Sequence, residues 1–225
     1  MAVKLFILGL PGSGKSAVAR FILKYVNGQR VDERNDQCWS AIRFNDYTFL
    51  LDMYHQDTAW KRFKPASPGG FDVLDLKVFD EALQTLEQEV DVYVDSLNLE
   101  EKKLVLVEFS RNDYERAFQQ FNKSFLKDAH FIYLDTELEK CKQRICLRSV
   151  NPKNPADDYP VSEYIFEVYY YSDDGLSIAD LLAKEYGVDK WRVLTIDNNC
   201  SLELVCKNIE PFIHSILNPL SIVNK

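Results

Sequence analysis

Eight consecutive residues, Gly9-Leu10-Pro11-Gly12-Ser13-Gly14-Lys15-Ser16, fill the pattern G-x-x-x-x-G-K-[ST]. Gly9, Gly12 and Gly14 let the backbone curl so that its N–H groups converge on phosphate oxygens. A helix that starts at this point adds the partial positive charge of its N-terminus. Lys15 then reaches the outer phosphates, and Ser16 offers a hydroxyl to Mg²⁺. With Pro11, Ser13 and Ala17 completing the cradle, these residues predict a site for a nucleoside triphosphate, ATP or GTP, together with Mg²⁺.

Other chemistry-bearing residues stand where strands end. Glu108 closes the apolar run Leu104-Val105-Leu106-Val107. Parallel strands deliver their carboxyl ends to the ligand side of a sheet, where a carboxylate can hold Mg²⁺ or touch substrate. Arg111 follows three residues later, in the expected first turn of a helix capped by Ser110. A cation opposed by the helix dipole there needs a partner, either Glu108 or an anionic ligand. Asp46 ends a short run, Ser40 to Phe44, and could accept the proton of a substrate hydroxyl; as a residue after Asn45 it could equally serve a turn. Lys140, Arg144 and Arg148 recur every fourth residue and form one stripe of a helix, with Leu138, Cys141 and Ile145 on the side expected to face the sheet. Arginines brought over a transferring phosphoryl group stabilise its charge and exclude water. They could otherwise line a solvated face.

These groups need rigid elements to hold them. Apolar runs at Val3 to Leu8, Ser40 to Phe44, Leu104 to Val107, Phe131 to Leu134 and Arg192 to Ile196 read as strands. Helical spacing falls between them. It runs from Lys15 to about Val26, along 79, 83, 86, 90, 94 and 97, from Thr136 to Arg148, near 161–171 and 178–186, and over 202–217. The alternation predicts a parallel sheet with crossover helices. Residues 149–160, with three prolines, form a loop that suits a lid. Between Asp46 and Asp75, aromatics and cations mix: Tyr47, Tyr54, His55, Trp60, Lys61, Arg62, Phe63, Lys64 and Phe71. That mix suits a ring-bearing or an anionic substrate, or plain packing. Residues 47–103 are therefore the candidate acceptor-binding insertion.

The bulk composition narrows the classes. The chain has 225 residues, enough for a single domain over 1–225 without disulfides. Its net charge is −8, so it lacks the general basic surface that a nucleic-acid duplex requires. Cys38, Cys141, Cys146, Cys200 and Cys206 are odd in number and form no C-x-x-C pair, which argues for buried thiols in a reducing compartment. The apolar run at the N-terminus is too short for a membrane span and reads as a strand, with the cytoplasm as the expected location.

Taken together, the loop Gly9 to Ser16 and the segment Leu134-Asp-Thr-Glu-Leu-Glu-Lys-Cys-Lys-Gln-Arg-Ile-Cys-Leu-Arg148 resemble the nucleotide-kinase-like P-loop NTPases, the group of adenylate, shikimate, gluconate and nucleoside kinases. The resemblance covers about 1–45, 104–150 and 190–217. It implies an α/β three-layer sandwich whose five-stranded parallel sheet has the order 2-3-1-4-5. It also implies a helical lid with Arg144 and Arg148 as lid arginines, Mg-ATP as donor and a small-molecule acceptor. Glu108 with Arg111 is loosely similar to the Glu-Arg-Ser turn of deoxynucleoside kinases, at a different spacing. Phosphoryl transfer to a nucleoside, nucleotide or other small metabolite is the first functional expectation. A regulatory NTPase acting through partners, and a nucleic-acid end kinase, are the alternatives. A kinase requires a closed pocket with buried cations, whereas a switch requires an exposed apolar patch.

Overall fold

Each strand places successive side chains on opposite faces, and this alternation organises the molecule. In β1 (Ala2–Leu8), Phe6 and Leu8 enter one apolar cluster while Leu5 and Ile7 enter another. In β5 (Lys102–Glu108), Val105 and Val107 join the first cluster, and Leu104 and Leu106 the second. Strands apolar on both faces need cover on both sides. The computed structural model describes residues 1–28, 39–66, 70–150, 161–170 and 177–218.

Five strands pair in parallel: β1, β5, β2 (Trp39–Asn45), β6 (His130–Asp135) and β7 (Val193–Asp197), in the order β2-β5-β1-β6-β7. Two short strands, β3 (Phe63–Pro65) and β4 (Phe71–Val73), form a separate antiparallel hairpin. Without that hairpin the order is the expected 2-3-1-4-5. Helices α1 (Lys15–Gly28) and α9 (Leu202–Leu217) cover one face through Val18, Ile22, Ile209 and Ile213. The other face receives α3 (Lys77–Asp95), α4 (Tyr114–Phe118), α5 (Lys123–Lys127) and α8 (Ile178–Tyr186). The result is a three-layer α/β sandwich. Phe6 lies at its centre, stacked on Phe131 at 4.9 Å between ring centroids and edge-on to Phe121 at 5.6 Å. A fully buried side chain of this kind contributes about 1.5–3 kcal/mol.

A third apolar cluster grows from the carboxyl ends of β2 and β6. It joins α2 (Asp46–Gln56), the hairpin, the start of α3, α6 (Leu138–Val150) and α7 (Glu163–Val168) through Leu50, Phe63, Phe79, Ile145 and Phe166. Ser162 ties α7 to the hairpin: its hydroxyl caps the helix by accepting from Ile165 N at 3.3 Å and donates to Asp72.

Several local expectations change. Asn45-Asp46 is not a free turn; Asn45 caps α2 by accepting from Thr48 N at 3.1 Å, and Asp46 is the first helical residue. Ser110 does not cap the following helix. Asp113 does, accepting from Arg116 N at 2.9 Å, so Arg111 precedes α4 and does not oppose its dipole. Ile145 packs in the third cluster rather than against the sheet, and the backbone of Cys141 lies under the Gly9–Ser16 loop. Among the described cysteines only Cys141 is buried, while Cys146 and Cys200 are exposed. Cys38 and residues 151–160 of the expected lid loop lie outside the described residues, and residues 149 and 150 belong to α6. Among the described residues, no helix is long and apolar enough to cross a membrane.

Candidate functional site

The loop between β1 and α1 curls as its glycines allow. Gly12 and Gly14 have φ values of 82° and 99°, in the region that side-chain-bearing residues avoid. Space is also absent: a Cβ on Gly12 would lie 2.5 Å from the Cys141 carbonyl oxygen, and one on Gly14 would lie 2.6 Å from Asn198 Nδ2. The loop is braced from behind. Gly9 N–H donates to the Tyr114 hydroxyl at 2.6 Å, and that hydroxyl donates to Gly9 O at 3.2 Å. Asn198, after β7, donates from its side chain to Ser13 O. Arg144 donates to Asn198 O at 2.9 Å and to Gly12 O at 3.5 Å, so its guanidinium lies against the loop.

Lys15 is buried, and its ammonium donates to Gly9 O at 3.1 Å and Leu10 O at 2.9 Å. Three N–H bonds are available to an ammonium, so one is left for a phosphate oxygen. Burial pushes the Lys15 pKa down to about 8, against the pull of Glu108 and Asp46. Above pH 8 the free protein loses this charge, whereas a bound phosphate retains it, so triphosphate affinity is expected to fall between pH 7 and 9 by up to about tenfold per unit. For the unliganded protein the sign reverses. Between pH 8 and 10.5 the unfolded chain keeps a proton that the folded chain has shed, so this group's contribution to stability rises with pH. Calorimetric titration and urea unfolding of the parent and Lys15→Met proteins, each at pH 7 and 9, read both effects by difference.

Ser16, the second residue of α1, donates its hydroxyl to Glu108 Oε1 at 2.8 Å. Arg43, from β2, joins the same pair. Its Nε lies 2.9 Å from Glu108 Oε2, and its Nη2 lies 3.3 Å from Ser16 Oγ. A hydroxyl and a carboxylate side by side at a phosphate loop suit Mg²⁺, which takes one or two protein oxygens and fills its octahedron with water and phosphate. The donor set fits that ion better than an all-protein cage: among the described residues no group of three or more His, Cys, Asp or Glu converges.

Asp46 and Arg111 form a buried ion pair. Arg111 is 2% exposed and also donates to Ser110 O at 2.6 Å and Phe79 O at 2.6 Å. Its guanidinium sits 5.0 Å from the centroid of the Phe79 ring. Burial alone would lower the Arg111 pKa, but Asp46 beside it more than offsets this. Of the two partners foreseen for Arg111, Glu108 is not the one found: Glu108 pairs with Arg43, and Arg111 with Asp46. A single cavity of about 340 Å³ joins the loop, the Ser16–Glu108 pair and the Asp46–Arg111 pair, and it extends along the third cluster past Leu50, Phe71 and Phe79. Pro11, Gly12, Gly14, Lys15, Ser16 and Ala17 line it, as do Arg144 and Arg148; Gly9 and Ser13 stand behind the lining.

No protein-family model matches the chain, and no curated protein matches it by sequence. Solved structures do. The chain is similar to Kti12 from Chaetomium thermophilum in complex with ADP-AlF3, with a TM-score of 0.55, 13% identity, and 95% of this chain and 98% of that one covered. It is similar to a sugar kinase from Janibacter sp. HTCC2649, with a TM-score of 0.53, 11% identity and 95% of each chain covered. APS kinase CysC of Mycobacterium tuberculosis, in complex with AMPPNP and APS, gives a TM-score of 0.52 at 14% identity, over 95% of this chain and 98% of that one. The fold is that of the kinase-like P-loop NTPases.

Within this P-loop fold, sequence reasoning missed Arg43, Tyr114 and Asn198. Arg43 carried a signal, being a lone cation between Ile42 and Phe44 in an apolar run. Tyr114 and Asn198 carried none, because their roles depend on loops far apart in the chain. The P-loop itself is sterically closed to change. Gly12→Ala is expected to lose triphosphate binding and about 1–3 kcal/mol of stability, since strain and contact act together. Urea unfolding and nucleotide titration of that variant check both effects; normal nucleotide affinity would show that the loop tolerates the side chain.

Proposed function

We propose that the chain transfers the γ-phosphoryl group of Mg-ATP, or Mg-GTP, to a hydroxyl of a small molecule. The observation that carries this reading is the cavity joining the P-loop to the Asp46–Arg111 pair, with Lys15 and Arg111 buried in its wall. A nucleotide-dependent switch would have little use for buried cations facing a second compartment. The AMPPNP complex of APS kinase and the ADP-AlF3 complex of Kti12 accord with a nucleotide on the loop.

In this mechanism the loop amides and Lys15 hold the β- and γ-phosphates. Ser16 and Glu108 would hold Mg²⁺, which would supply positive charge to the phosphates. Arg144 and Arg148 neutralise the charge that develops on the transferring group. Asp46, oriented by its ion pair with Arg111, positions the acceptor hydroxyl. As the hydroxyl oxygen bonds to phosphorus, the bond to the leaving nucleoside diphosphate breaks and the hydroxyl proton passes to Asp46. Most of the rate gain comes from alignment and charge neutralisation.

Glu108→Gln is expected to raise the Mg²⁺ concentration needed for half-maximal turnover by about tenfold or more, because losing even an outer partner of a metal ligand costs about 10–100-fold. A magnesium titration of ADP release measures it, and an unchanged midpoint would remove Glu108 from the metal site. The reading as a whole is tested by screening acceptors, nucleosides and nucleotides first, for stimulated ADP release with Mg-ATP. If no acceptor stimulates release, the loop serves a nucleotide-dependent binding role instead.

A further inference from the structure

The acceptor's chemistry can be narrowed further. Two substrate classes suited the mixed segment between Asp46 and Asp75, ring-bearing and anionic, and the structure separates their residues. The cations turn away: Lys64 pairs with Asp72 at 3.4 Å, Arg62 pairs with Glu81 at 2.6 Å, and Lys61 is exposed. None of the three lines the cavity. The aromatics do. Tyr47 and Phe71 line it and stack on each other at 5.6 Å, with their planes 17° apart. Leu50, Phe79, Ile165 and Tyr170 complete this apolar part of the wall.

The cations that do line the cavity come from the phosphate side or are already matched. Lys15 and Arg20 belong to α1, and Arg144 and Arg148 to α6; Arg43 is bound to Glu108 and Arg111 to Asp46. Among the described residues, α2, the hairpin and α7 contribute no cation to the lining. A carboxylate or phosphate on the acceptor would therefore be buried there without a counter-charge, which costs several kcal/mol. A ring set against Phe71 and Phe79 meets no such cost, and Asp46 lines the same cavity for its hydroxyl. Arg111 offers one more contact: its Nε–H is buried with no hydrogen-bond partner among the described residues. With the guanidinium charge matched by Asp46, that N–H suits a neutral oxygen on the same molecule. The cavity, at about 340 Å³, is near the small end for ligand sites and favours a compact acceptor.

We infer that the acceptor is an uncharged, ring-bearing alcohol rather than a phosphorylated or carboxylated metabolite. The inference rests on the phosphoryl-transfer reading and specifies its second substrate. The test uses the full chain saturated with AMPPNP and Mg²⁺ and matched probes: benzyl alcohol against benzoate and benzyl phosphate, and thymidine and adenosine against their 5′-monophosphates. Binding is read by ligand-observed NMR, and ADP release is measured in parallel samples with Mg-ATP. The uncharged member of each pair is expected to bind about tenfold or more tightly than its charged partners. Phe71→Asp should abolish that preference while AMPPNP binding is retained; Phe71→Ala serves if the aspartate variant does not fold, and should weaken the uncharged probes alone. Tighter binding of the charged members, or no binding by any uncharged ring probe, overturns the inference. Charged acceptors that stimulate ADP release when uncharged ones do not would likewise overturn it and leave phosphoryl transfer standing. Uncharged probes that bind yet never stimulate release would uphold the pocket's chemistry and sink phosphoryl transfer.

Discussion

Lys15→Ala is expected to reduce phosphoryl transfer by about a thousandfold or more while leaving the protein folded. The magnitude is that of removing a preorganised charged donor from a phosphoryl-transfer site, where one oxyanion donor is worth about 10²–10³ and a single arginine can be worth more. Stability should move differently. The ammonium is desolvated in the fold, as its lowered pKa records, so its removal relieves a burial cost at pH 7. Its hydrogen bonds to Gly9 O and Leu10 O are lost in exchange. The unfolding midpoint should therefore stay level or rise slightly as turnover collapses. Paired measurements of kcat and urea midpoint test this, and a variant as active as the parent would remove Lys15 from the mechanism.

Arg111→Ala is expected to cost about 3–5 kcal/mol of stability, the usual penalty when one partner of a buried ion pair is removed. The Asp46 carboxylate would remain buried without its guanidinium partner, and Phe79 O and Ser110 O would each lose a donor. Acceptor-dependent turnover should vanish with it. The double variant Asp46→Asn, Arg111→Met separates the two effects. It removes both charges at similar volume and should recover much of the lost stability, yet remain inactive because nothing orients the hydroxyl or takes its proton. Denaturant unfolding of the parent, the Asp46→Asn and Arg111→Met single variants and the double variant gives the coupling energy as a double-mutant cycle. A near-zero coupling would mean that the pair does not act as a unit.

Features governed by nearest neighbours were legible in advance. The glycines at 9, 12 and 14, followed by Lys15 and Ser16, specify a curled loop at a helix start, because backbone freedom and helix geometry are local properties. The helix over 202–217 was readable from its periodicity to both ends. The segment Val90 to Val94 is helical despite its strand-like composition, since a 3.6-residue period outweighs β-branched content when the apolar face is buried. Positions that depend on a cap were less secure. Ser110 and Asp113 are both good caps, and choosing between them required the packing of Tyr114 and Phe118 into the core.

What the order of residues determined by itself was the phosphate cradle, the parallel sheet, and the carboxylates delivered to its ligand edge. These follow from backbone conformation and from apolar patterning within single segments. The pairing of charges was decided only by the tertiary structure. Asp46 and Arg111 lie 65 positions apart, as do Arg43 and Glu108, and which carboxylate meets which guanidinium depends on the register of β2 beside β5 and on the path of the chain after Glu108. The fate of the cations at 61, 62 and 64 was settled in the same way. Local sequence placed them beside the aromatics, but the hairpin and α3 supplied the acidic partners that draw Arg62 and Lys64 out of the cavity and leave Tyr47 and Phe71 to line it.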